Sequence, residues 1–554
     1  MRFSLFLTAM SLALAPAVAV AQTADEPTFS AERVKADITF LASDELEGRN
    51  AGDRGYDVAA RFVATRFESM GLVPGGPDGS WYQMVPFAEV GLEGTPVMTV
   101  DGKPLEQGKD MLIGAGSALE GGEQSIVGNA VFVGHGMVSE ELGIDDYAGV
   151  DATGKIVVYF VGPPADLTPE QAGALRSVNR VKVAADHGAV GVLMVLRPED
   201  VRIPWEELGH YVTGSSTQLL NADGTSRQEA APGGIKMSAY IRPETLAPLL
   251  EGTDLTVEGA LEAAKGIETT AVELPHQVML SRKVSVRRFQ SPNVIGLLPG
   301  SDPELKNEYV LLTAHLDHNG IDPELEGDQI YNGAMDNASG TATMLEAARA
   351  FTSTGTAPRR SIMFVSLTAE EDGLLGSTFL ANNWFVEGGK MVADVNLDMP
   401  VLTYDFKDVV AFGADHSTLG PIVAAATAKA GVSLSPDPMP EENLFVRSDH
   451  YSFVKAGVPS VFLVTGFQNG GEEAFRHFLA TDYHKVSDQV DLPFNWEAAA
   501  KFARINFLIA REIANGDTAP MWFEGDEYGD RYAPDAPKAP APAPVEEPAA
   551  EAAQ

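Results

Sequence analysis

Side chains that commonly bind metal ions occur at five places in the second half of the chain, nearly all of them just after an apolar run. These residues are His315, Asp336, Glu371, Asp398 and His484. Two histidines with three carboxylates are a ligand set that suits zinc. Five ligands are one too many for a single tetrahedral ion. If one carboxylate bridges, they form two three-ligand sites with room for a shared water, which predicts a two-metal hydrolase.

The elements that must position these side chains follow from the apolar pattern between about 276 and 518. Apolar strands of four to seven residues alternate there with helical stretches such as Gly340 to Phe351. This alternation predicts a mainly parallel sheet with helices on both faces. Most of the candidate ligands then lie at the carboxyl edge of the sheet, where open α/β sheets place their sites. Asp336 instead precedes a helix, with Asn337 and Ser339 as candidate caps.

The rest of the chain divides by composition into further segments. Residues 22–87 have apolar residues at helical spacing and are predicted to be an N-terminal part of the same domain as 276–518. Residues 88–275 contain short β-like runs with frequent glycine and are predicted to be an inserted domain. Residues 519–554 are acidic and then rich in proline and alanine, which predicts a disordered tail.

Charge and composition restrict the classes of partner and the compartment. Residues 1–21 have a basic residue, an apolar stretch and the small residues Ala19-Val20-Ala21, which predicts a signal peptide and export to the periplasm or the extracellular space. No later stretch reaches the ~20 apolar residues that a spanning helix needs, so we expect no stable membrane insertion after signal cleavage. The net charge of −39 argues against a nucleic-acid or anionic-membrane partner. The absence of cysteine excludes thiolate nucleophiles and cysteine zinc sites.

The motifs around the candidate ligands resemble those of the M28 family of zinc-dependent exopeptidases, which includes aminopeptidases and glutamate carboxypeptidase-like enzymes. The matching phrases are Ala314–His318, Gly333–Gly340, Ala369–Glu371 with Gly376–Ser377, Asn396–Met399, Arg447–Phe453 and Tyr483–His484. The resemblance covers most of 31–87 and 276–515. Residues 88–275 are similar to the protease-associated domain that many of these enzymes carry as an insertion. The fold implied is α/β of the zinc exopeptidase type, with a mainly parallel central sheet flanked by helices and an inserted β-rich α/β domain.

The resemblance also implies roles for the ligands and for one neighbour. Asp336 would bridge two zinc ions, with His315 and Asp398 completing one site and Glu371 and His484 completing the other. The adjacent Glu370 would be the general base. An unligated carboxylate beside a metal-activated water can take a proton and later deliver it to the leaving amine.

Further residues in or beside the motifs are candidates for supporting roles. Asp317 is a candidate for fixing the tautomer of His315, two residues away. Tyr483 either donates a hydrogen bond to a developing oxyanion or is a packed tyrosine. Arg447 either binds a substrate carbonyl or carboxylate or forms a structural ion pair. Residues interpreted as lying behind the ligands or in the substrate pocket are His318, Asp449 and His450.

The leading functional prediction is an exported two-zinc aminopeptidase that removes N-terminal residues from peptides. A carboxypeptidase of the glutamate carboxypeptidase type would need basic residues to hold a free carboxylate, and few lie near the motifs. Glutaminyl cyclase would work with one zinc, so the metal content distinguishes it. A non-catalytic binding protein is disfavoured because all five ligands and Glu370 are present.

Overall fold

The structure of the protein is a computed structural model that describes residues 26–542 except 141, 165–166, 168–174, 176–177, 201–202, 228–232 and 268–270. The helices are α1 Ala31–Leu41, α2 Arg54–Ser69, α3 Arg180–Asp186, α4 Trp205–Thr213, α5 Ala247–Leu250, α6 Val257–Ala263, α7 Ser339–Ser353, α8 Leu375–Asn382, α9 Leu419–Ala430, α10 His450–Lys455, α11 Gly471–Thr481, α12 Trp496–Asn515 and α13 Glu527–Tyr532. The strands are β1 Val73–Pro74, β2 Tyr82–Leu92, β3 Val97–Val100, β4 Lys103–Leu105, β5 Met111–Leu112, β6 Gly122–Phe132, β7 Val138–Ser139, β8 Ile144–Asp145, β9 Ile156–Phe160, β10 Gly191–Val195, β11 Ser216–Leu219, β12 Met237–Ile241, β13 Val272–Leu298, β14 Glu308–His315, β15 Ser361–Leu367, β16 Lys390–Leu397, β17 Asp408–Phe412, β18 Ser433–Ser435 and β19 Ser460–Thr465.

The central sheet has a parallel middle and antiparallel flanks. Strands β15, β14, β16 and β19 lie side by side and run parallel. The C-terminal part of β13 pairs antiparallel with β15 on one side, and β17 pairs antiparallel with β19 on the other. The prediction of a mainly parallel α/β sheet is therefore confirmed, and the carboxyl ends of the four parallel strands meet at one edge.

Helices cover both faces of this sheet, so its parallel strands are buried along most of their length. Val310 and Leu312 of β14 point into a large core that they share with α1, α7 and α12, whereas Leu311 points into a separate core with α8 and α10. Side-chain caps begin two of the helices. The Ser30 hydroxyl accepts from the Arg33 N–H at the start of α1, and the side-chain amide oxygen of Asn495 accepts from the Ala498 N–H at the start of α12. The two-sided burial accounts for the continuous apolar runs in the sequence.

A second group of strands forms the block between about 88 and 275. Strands β6, β9, β10 and β12 are parallel neighbours, and β6 pairs antiparallel with the N-terminal part of β13. Strands β2 and β13 pair antiparallel along residues 82–92 and 284–294, so both proposed boundaries fall inside strands that continue into the central sheet. The block has its own apolar cores. Its assignment as an inserted protease-associated domain stays a prediction.

The segment after residue 518 corrects one prediction. Residues 519–542 pack against the central domain rather than forming a disordered tail. Trp522 is 2% exposed and its indole N–H donates to the Gly457 carbonyl oxygen at 2.9 Å. Helix α13 follows, capped by Asp526, which also pairs with His416 at 2.6 Å. The prediction failed because it relied on the acidic composition of the segment and gave no weight to aromatic residues such as Trp522, which supply apolar surface for packing. Residues 1–25, with the predicted signal peptide, and 543–554 lie outside the described residues.

Among the described helices, none combines the length and apolarity required to cross a lipid bilayer.

Candidate metal centre

The first half of the centre joins the ends of two neighbouring parallel strands. His315 is the last residue of β14, and Asp398 directly follows β16. These strands are parallel neighbours, and Thr313 lies opposite Asn396. Their ends therefore bring the two side chains together, with His315 Nε2 3.0 Å from Asp398 Oδ1. Both residues are buried. The imidazole Nδ1 donates to the main-chain oxygen of Asp317 at 3.2 Å, which leaves Nε2 free to bind a metal.

The second half combines a turn after β15 with a turn after α11. Glu371 and His484 come from these turns, and His484 Nε2 lies 3.0 Å from Glu371 Oε2. Burial and Asp336 would raise the pKa of Glu371, but His484 and His318 hold it down at about 2. Burial would lower the pKa of His484, whereas the carboxylates of Glu371 and Asp336 raise it to about 11. The carboxylate is therefore held in its anionic, metal-binding form.

Asp336 lies between the two halves and contacts each with a different oxygen. Its Oδ1 is 3.3 Å from His315 Nε2, and its Oδ2 is 3.3 Å from His484 Nε2. One ligand atom from each of His315, Asp336 and Glu371 lies within 4.8 Å of the others. Ligands about 2.0–2.2 Å from a tetrahedral zinc ion are about 3.3 Å apart. The separations of 3.0–3.3 Å across the cluster therefore fit zinc.

Asp317 holds the turn that carries the adjacent pair of glutamates. Its carboxylate accepts hydrogen bonds from the backbone N–H groups of Glu370 and Glu371, at 3.1 and 3.2 Å. The contact of Asp317 with His315 Nδ1 comes from its main-chain oxygen rather than from this carboxylate. Burial raises the pKa of Glu370 well above its ordinary value, with further contributions from Glu371 and Asp398. Glu370 lines the cavity in front of the centre, as a general base must.

Comparison with known proteins finds relatives of this region. Residues 293–510 match the profile of peptidase family M28. Leucine aminopeptidase 1 of Grosmannia clavigera is 28% identical over 246 residues, which cover 42% of this chain and 57% of that protein. A probable zinc metalloprotease of Pyrenophora teres f. teres is 38% identical over 108 residues, which cover 19% of this chain and 22% of that protein. The chain thus spans about half the length of this leucine aminopeptidase, and less of the metalloprotease.

The fold of the chain also matches a solved structure. The aminopeptidase from Aneurinibacillus sp. strain AM-1 superposes with a TM-score of 0.54 at 21% identity. The match covers 88% of this chain and 95% of that one. At this identity the match establishes the shared fold alone.

Residues behind the candidate ligands hold the carboxylates in place. His318 donates from Nδ1 to Glu371 Oε1 at 2.6 Å, and the Ser448 hydroxyl donates to Asp398 Oδ2 at 2.6 Å. Asn396 in turn donates to the Ser448 hydroxyl oxygen at 2.7 Å. Ser448 lies inside a matching phrase, but sequence analysis assigned it no role.

Asp449 and His450 take the first of the two positions that the sequence left open, behind the candidate ligands rather than in the substrate pocket. Both are fully buried, and neither lines the cavity in front of the ligands. Burial raises the pKa of Asp449 to about 7, while His315 lowers it. His450 packs against the rings of Phe445 and Phe462, each with its centroid 5.3 Å away. Their place is therefore behind the metal ligands rather than against a substrate.

Tyr483 and Arg447 both line the cavity, which has a volume of about 300 Å³. Burial and nearby carboxylates raise the pKa of Tyr483, so its hydroxyl stays protonated and can donate. Arg447 is about half exposed and pairs with Glu442 at 3.7 Å. The apolar residues on the wall are Met399, Leu444, Phe462, Val464, Phe475 and Leu479. The cavity thus has an apolar wall and an acidic end that holds the candidate metal ligands.

Sequence analysis missed two residues that fix the loop before Asp336. Asp488 accepts the N–H of Met335 at 2.8 Å with one oxygen and the N–H of Asp336 at 3.0 Å with the other. Arg49 is 1% exposed. It donates to main-chain oxygens only, including those of Asn332 at 2.6 Å and Gly333 at 3.0 Å. Neither residue has a local sequence signal, because each acts on a loop more than 150 positions away.

Backbone conformations around the centre are unusual for side-chain-bearing residues. Ala369, Met399 and His484 have φ angles of 54°, 41° and 54°. Each lies in or next to a turn that carries a ligand or Glu370. Such conformations persist where surrounding contacts over-determine them, as they do at many functional sites.

Proposed function

We propose that this protein is a two-zinc aminopeptidase that hydrolyses peptides from their N-terminus. The observation that carries the proposal is the position of Asp336, whose two oxygens each approach a different histidine at 3.3 Å. A carboxylate placed in this way suits a bridging ligand. Each half is completed by one further carboxylate, Asp398 or Glu371, at 3.0 Å from its histidine.

Zinc ions bound there would polarise the scissile carbonyl and lower the pKa of a water molecule. Glu370 would accept the proton from this water and pass it to the leaving amine. It suits this role because it lines the cavity and is not one of the five proposed zinc ligands. Tyr483 would donate its hydroxyl hydrogen to the oxygen that gains charge.

The charges around the cavity favour a substrate with a free amine over one with a free carboxylate. Glu370 and Glu442 line the cavity, are not among the proposed zinc ligands and can attract an ammonium group. Arg447 is the one lysine or arginine among the described lining residues, and Glu442 already pairs with it. A carboxypeptidase would require a cationic group free to hold the C-terminus. The aminopeptidase name of the relative from Grosmannia clavigera supports the same choice.

We also propose that the protein is exported to the periplasm or beyond the cell and acts on peptides rather than nucleic acid. The support is the signal-like segment at residues 1–21 and the net charge of −39. Cell fractionation with an antibody against the protein tests the location.

The test of the activity is hydrolysis of aminoacyl-p-nitroanilides and of N-blocked peptides by protein of known metal content, with and without chelator. We expect two zinc ions per chain and chelator-sensitive cleavage of free-amine substrates only. Cleavage of only blocked peptides with a free C-terminus would assign a carboxypeptidase. One zinc per chain with cyclisation of N-terminal glutamine would assign a glutaminyl cyclase, and absence of both metal and turnover would favour a binding protein.

The variant Glu370→Gln separates the general base from the metal ligands. It should retain both zinc ions and lose several orders of magnitude in kcat, because the amide cannot accept the proton. Near-normal turnover by this variant would remove Glu370 from the mechanism.

A further inference from the structure

A second cavity lies in the block between residues 88 and 275, where it meets strand β13. Its volume is about 630 Å³, and it shares no lining residue with the cavity at the metal centre. The walls come from the loop at 116–121, the start of β6, the start of β12 and one residue of β13, Arg282. It is therefore separate from the metal centre.

Arg282 is a buried guanidinium group that no carboxylate of the described residues neutralises. The residue is 6% exposed. Its Nε donates to the Gln124 side-chain oxygen at 2.8 Å and its Nη1 donates to the Gly114 carbonyl oxygen at 2.7 Å. Within the described part of the chain, Nη2 has no hydrogen-bond partner and no carboxylate pairs with the group. The buried Arg197 and Arg360 each meet a carboxylate at 2.7 Å. The buried Arg49 meets none, but all three of its side-chain nitrogens donate to main-chain oxygens.

An uncompensated buried charge is costly, so its retention calls for a reason. Burial lowers the pKa of Arg282, and no carboxylate offsets this effect. The group nevertheless stays cationic, because arginine remains protonated in proteins. A planar guanidinium with a free N–H edge matches a carboxylate, which it can bind through two parallel hydrogen bonds.

The surroundings of Arg282 leave room for such a ligand. Gly116 lies over the guanidinium with φ of +72°, and a Cβ at this position would lie 2.7 Å from both Nη atoms. A side chain there would therefore press on the part of Arg282 that meets the cavity. Because Gly116 has no Cβ, a ligand in the cavity can approach the Arg282 guanidinium group.

Two strands that line the cavity are paired there along one edge, and among the described residues no strand pairs with the other edge. Strand β6 pairs with β9 only at residues 130–132, although Ser125 and Ile126 line the cavity. Strand β12 pairs with β5 only at residues 240–241, although Met237 and Ser238 line the cavity. Open strand edges are suited to an extended peptide, whose main chain pairs with them.

We propose that this cavity binds the C-terminal end of an extended peptide, with its terminal carboxylate on Arg282 and its main chain along an open strand edge. The volume is much larger than a small inorganic anion requires. The exposed Glu120 and Glu123 on the rim disfavour ligands with several negative charges. The proposal does not depend on the activity of the metal centre.

The test is calorimetric titration of the full-length, zinc-loaded protein with N-acetyl-Ala-Ala-Val and with its C-terminal amide. The acetyl group removes the free amine that an aminopeptidase needs. We expect one peptide acid to bind per chain and the amide to bind at least tenfold more weakly. Arg282→Gln should weaken binding of the acid at least tenfold. Lys236→Gln, which changes an exposed cation on the same cavity, should alter it less than threefold.

Three results would overturn the proposal. The first is equal affinity for acid and amide in the unmodified protein, a comparison that needs no variant and remains valid if Arg282→Gln fails to fold. The second is unchanged binding by a folded Arg282→Gln protein, which would place the peptide elsewhere, including the metal centre. The third is displacement of the peptide by inorganic phosphate at a similar affinity, which would indicate a site for small anions.

Discussion

Replacing Asp488 with asparagine should weaken zinc binding at the metal centre without changing any metal ligand. Asp488 receives two consecutive backbone N–H groups, those of Met335 and Asp336, one on each carboxylate oxygen. Asparagine keeps one acceptor oxygen and turns an NH₂ group toward the second N–H. The substitution thus replaces one hydrogen bond by a donor–donor contact and removes a negative charge beside the ligands.

The magnitude follows from these two bonds. A hydrogen bond to a charged group contributes about 1.5–3 kcal/mol. The loss of one bond, with repulsion in its place, should lower the free energy of unfolding by about 2–4 kcal/mol. Residues that orient metal ligands typically change metal affinity by about 10–100-fold when substituted, and we expect a weakening in this range. Saturating zinc should restore most of the hydrolytic activity, because Asp488 positions a ligand and takes no part in the reaction.

The assay is competition for zinc with a chromophoric chelator, together with urea unfolding. Burial raises the pKa of Asp488 to about 7, so the measurement is made at pH 8, where the carboxylate is ionised. Asp408→Asn is the matched control. Asp408 is 2% exposed and accepts from the Gln468 N–H at 3.0 Å and the Ser435 hydroxyl at 2.7 Å, on a strand that does not line the metal cavity.

The control should lose stability but keep its zinc affinity. The reasoning is refuted if Asp488→Asn binds zinc within threefold of the unmodified protein. It is equally refuted if Asp408→Asn weakens zinc binding as much.

Three other predictions test separate parts of the structure. Tyr483→Phe should lower kcat by about 100-fold with little change in KM, as expected for the loss of one donor to the transition state, and an unchanged kcat would make Tyr483 a packing residue. Glu346→Gln should lower the free energy of unfolding by about 2 kcal/mol at pH 7, since Glu346 bonds Arg33 at 2.7 Å. Burial would raise the pKa of Glu346, but its arginine partners lower it, so this stabilisation is present above the unfolded pKa near 4.5 and is lost as pH falls through the lower folded value. A difference between the two proteins that persists in urea unfolding well below pH 4 would contradict this sign. Arg49→Met should lower the free energy of unfolding by about 3–5 kcal/mol. Arg49→Lys should lower it by less, because lysine keeps the charge but reaches fewer carbonyl groups. A loss below about 1 kcal/mol for Arg49→Met would show that the hydrogen bonds of Arg49 are dispensable.

Much of the metal centre could be predicted from local pattern. The apolar runs before His315, Glu371 and Asp398 are long enough to mark buried strands, and polar side chains after such strands meet at one sheet edge. The order of the strands did not have to be known for this inference. The acidic segment after residue 518 shows the opposite case, since composition suggested disorder while Trp522 is buried against Gly457.

The sequence by itself determined which residue types were available and where each lies relative to a strand or turn, because the two-residue and 3.6-residue periodicities are local properties of the chain. Only the tertiary structure decided that Asp336 offers one oxygen to each histidine, and that Asp488 and Arg49 hold its loop. It alone also left Arg282 buried beside an open cavity. These features depend on contacts between residues far apart in the chain, and such contacts leave no periodic signal in a single sequence.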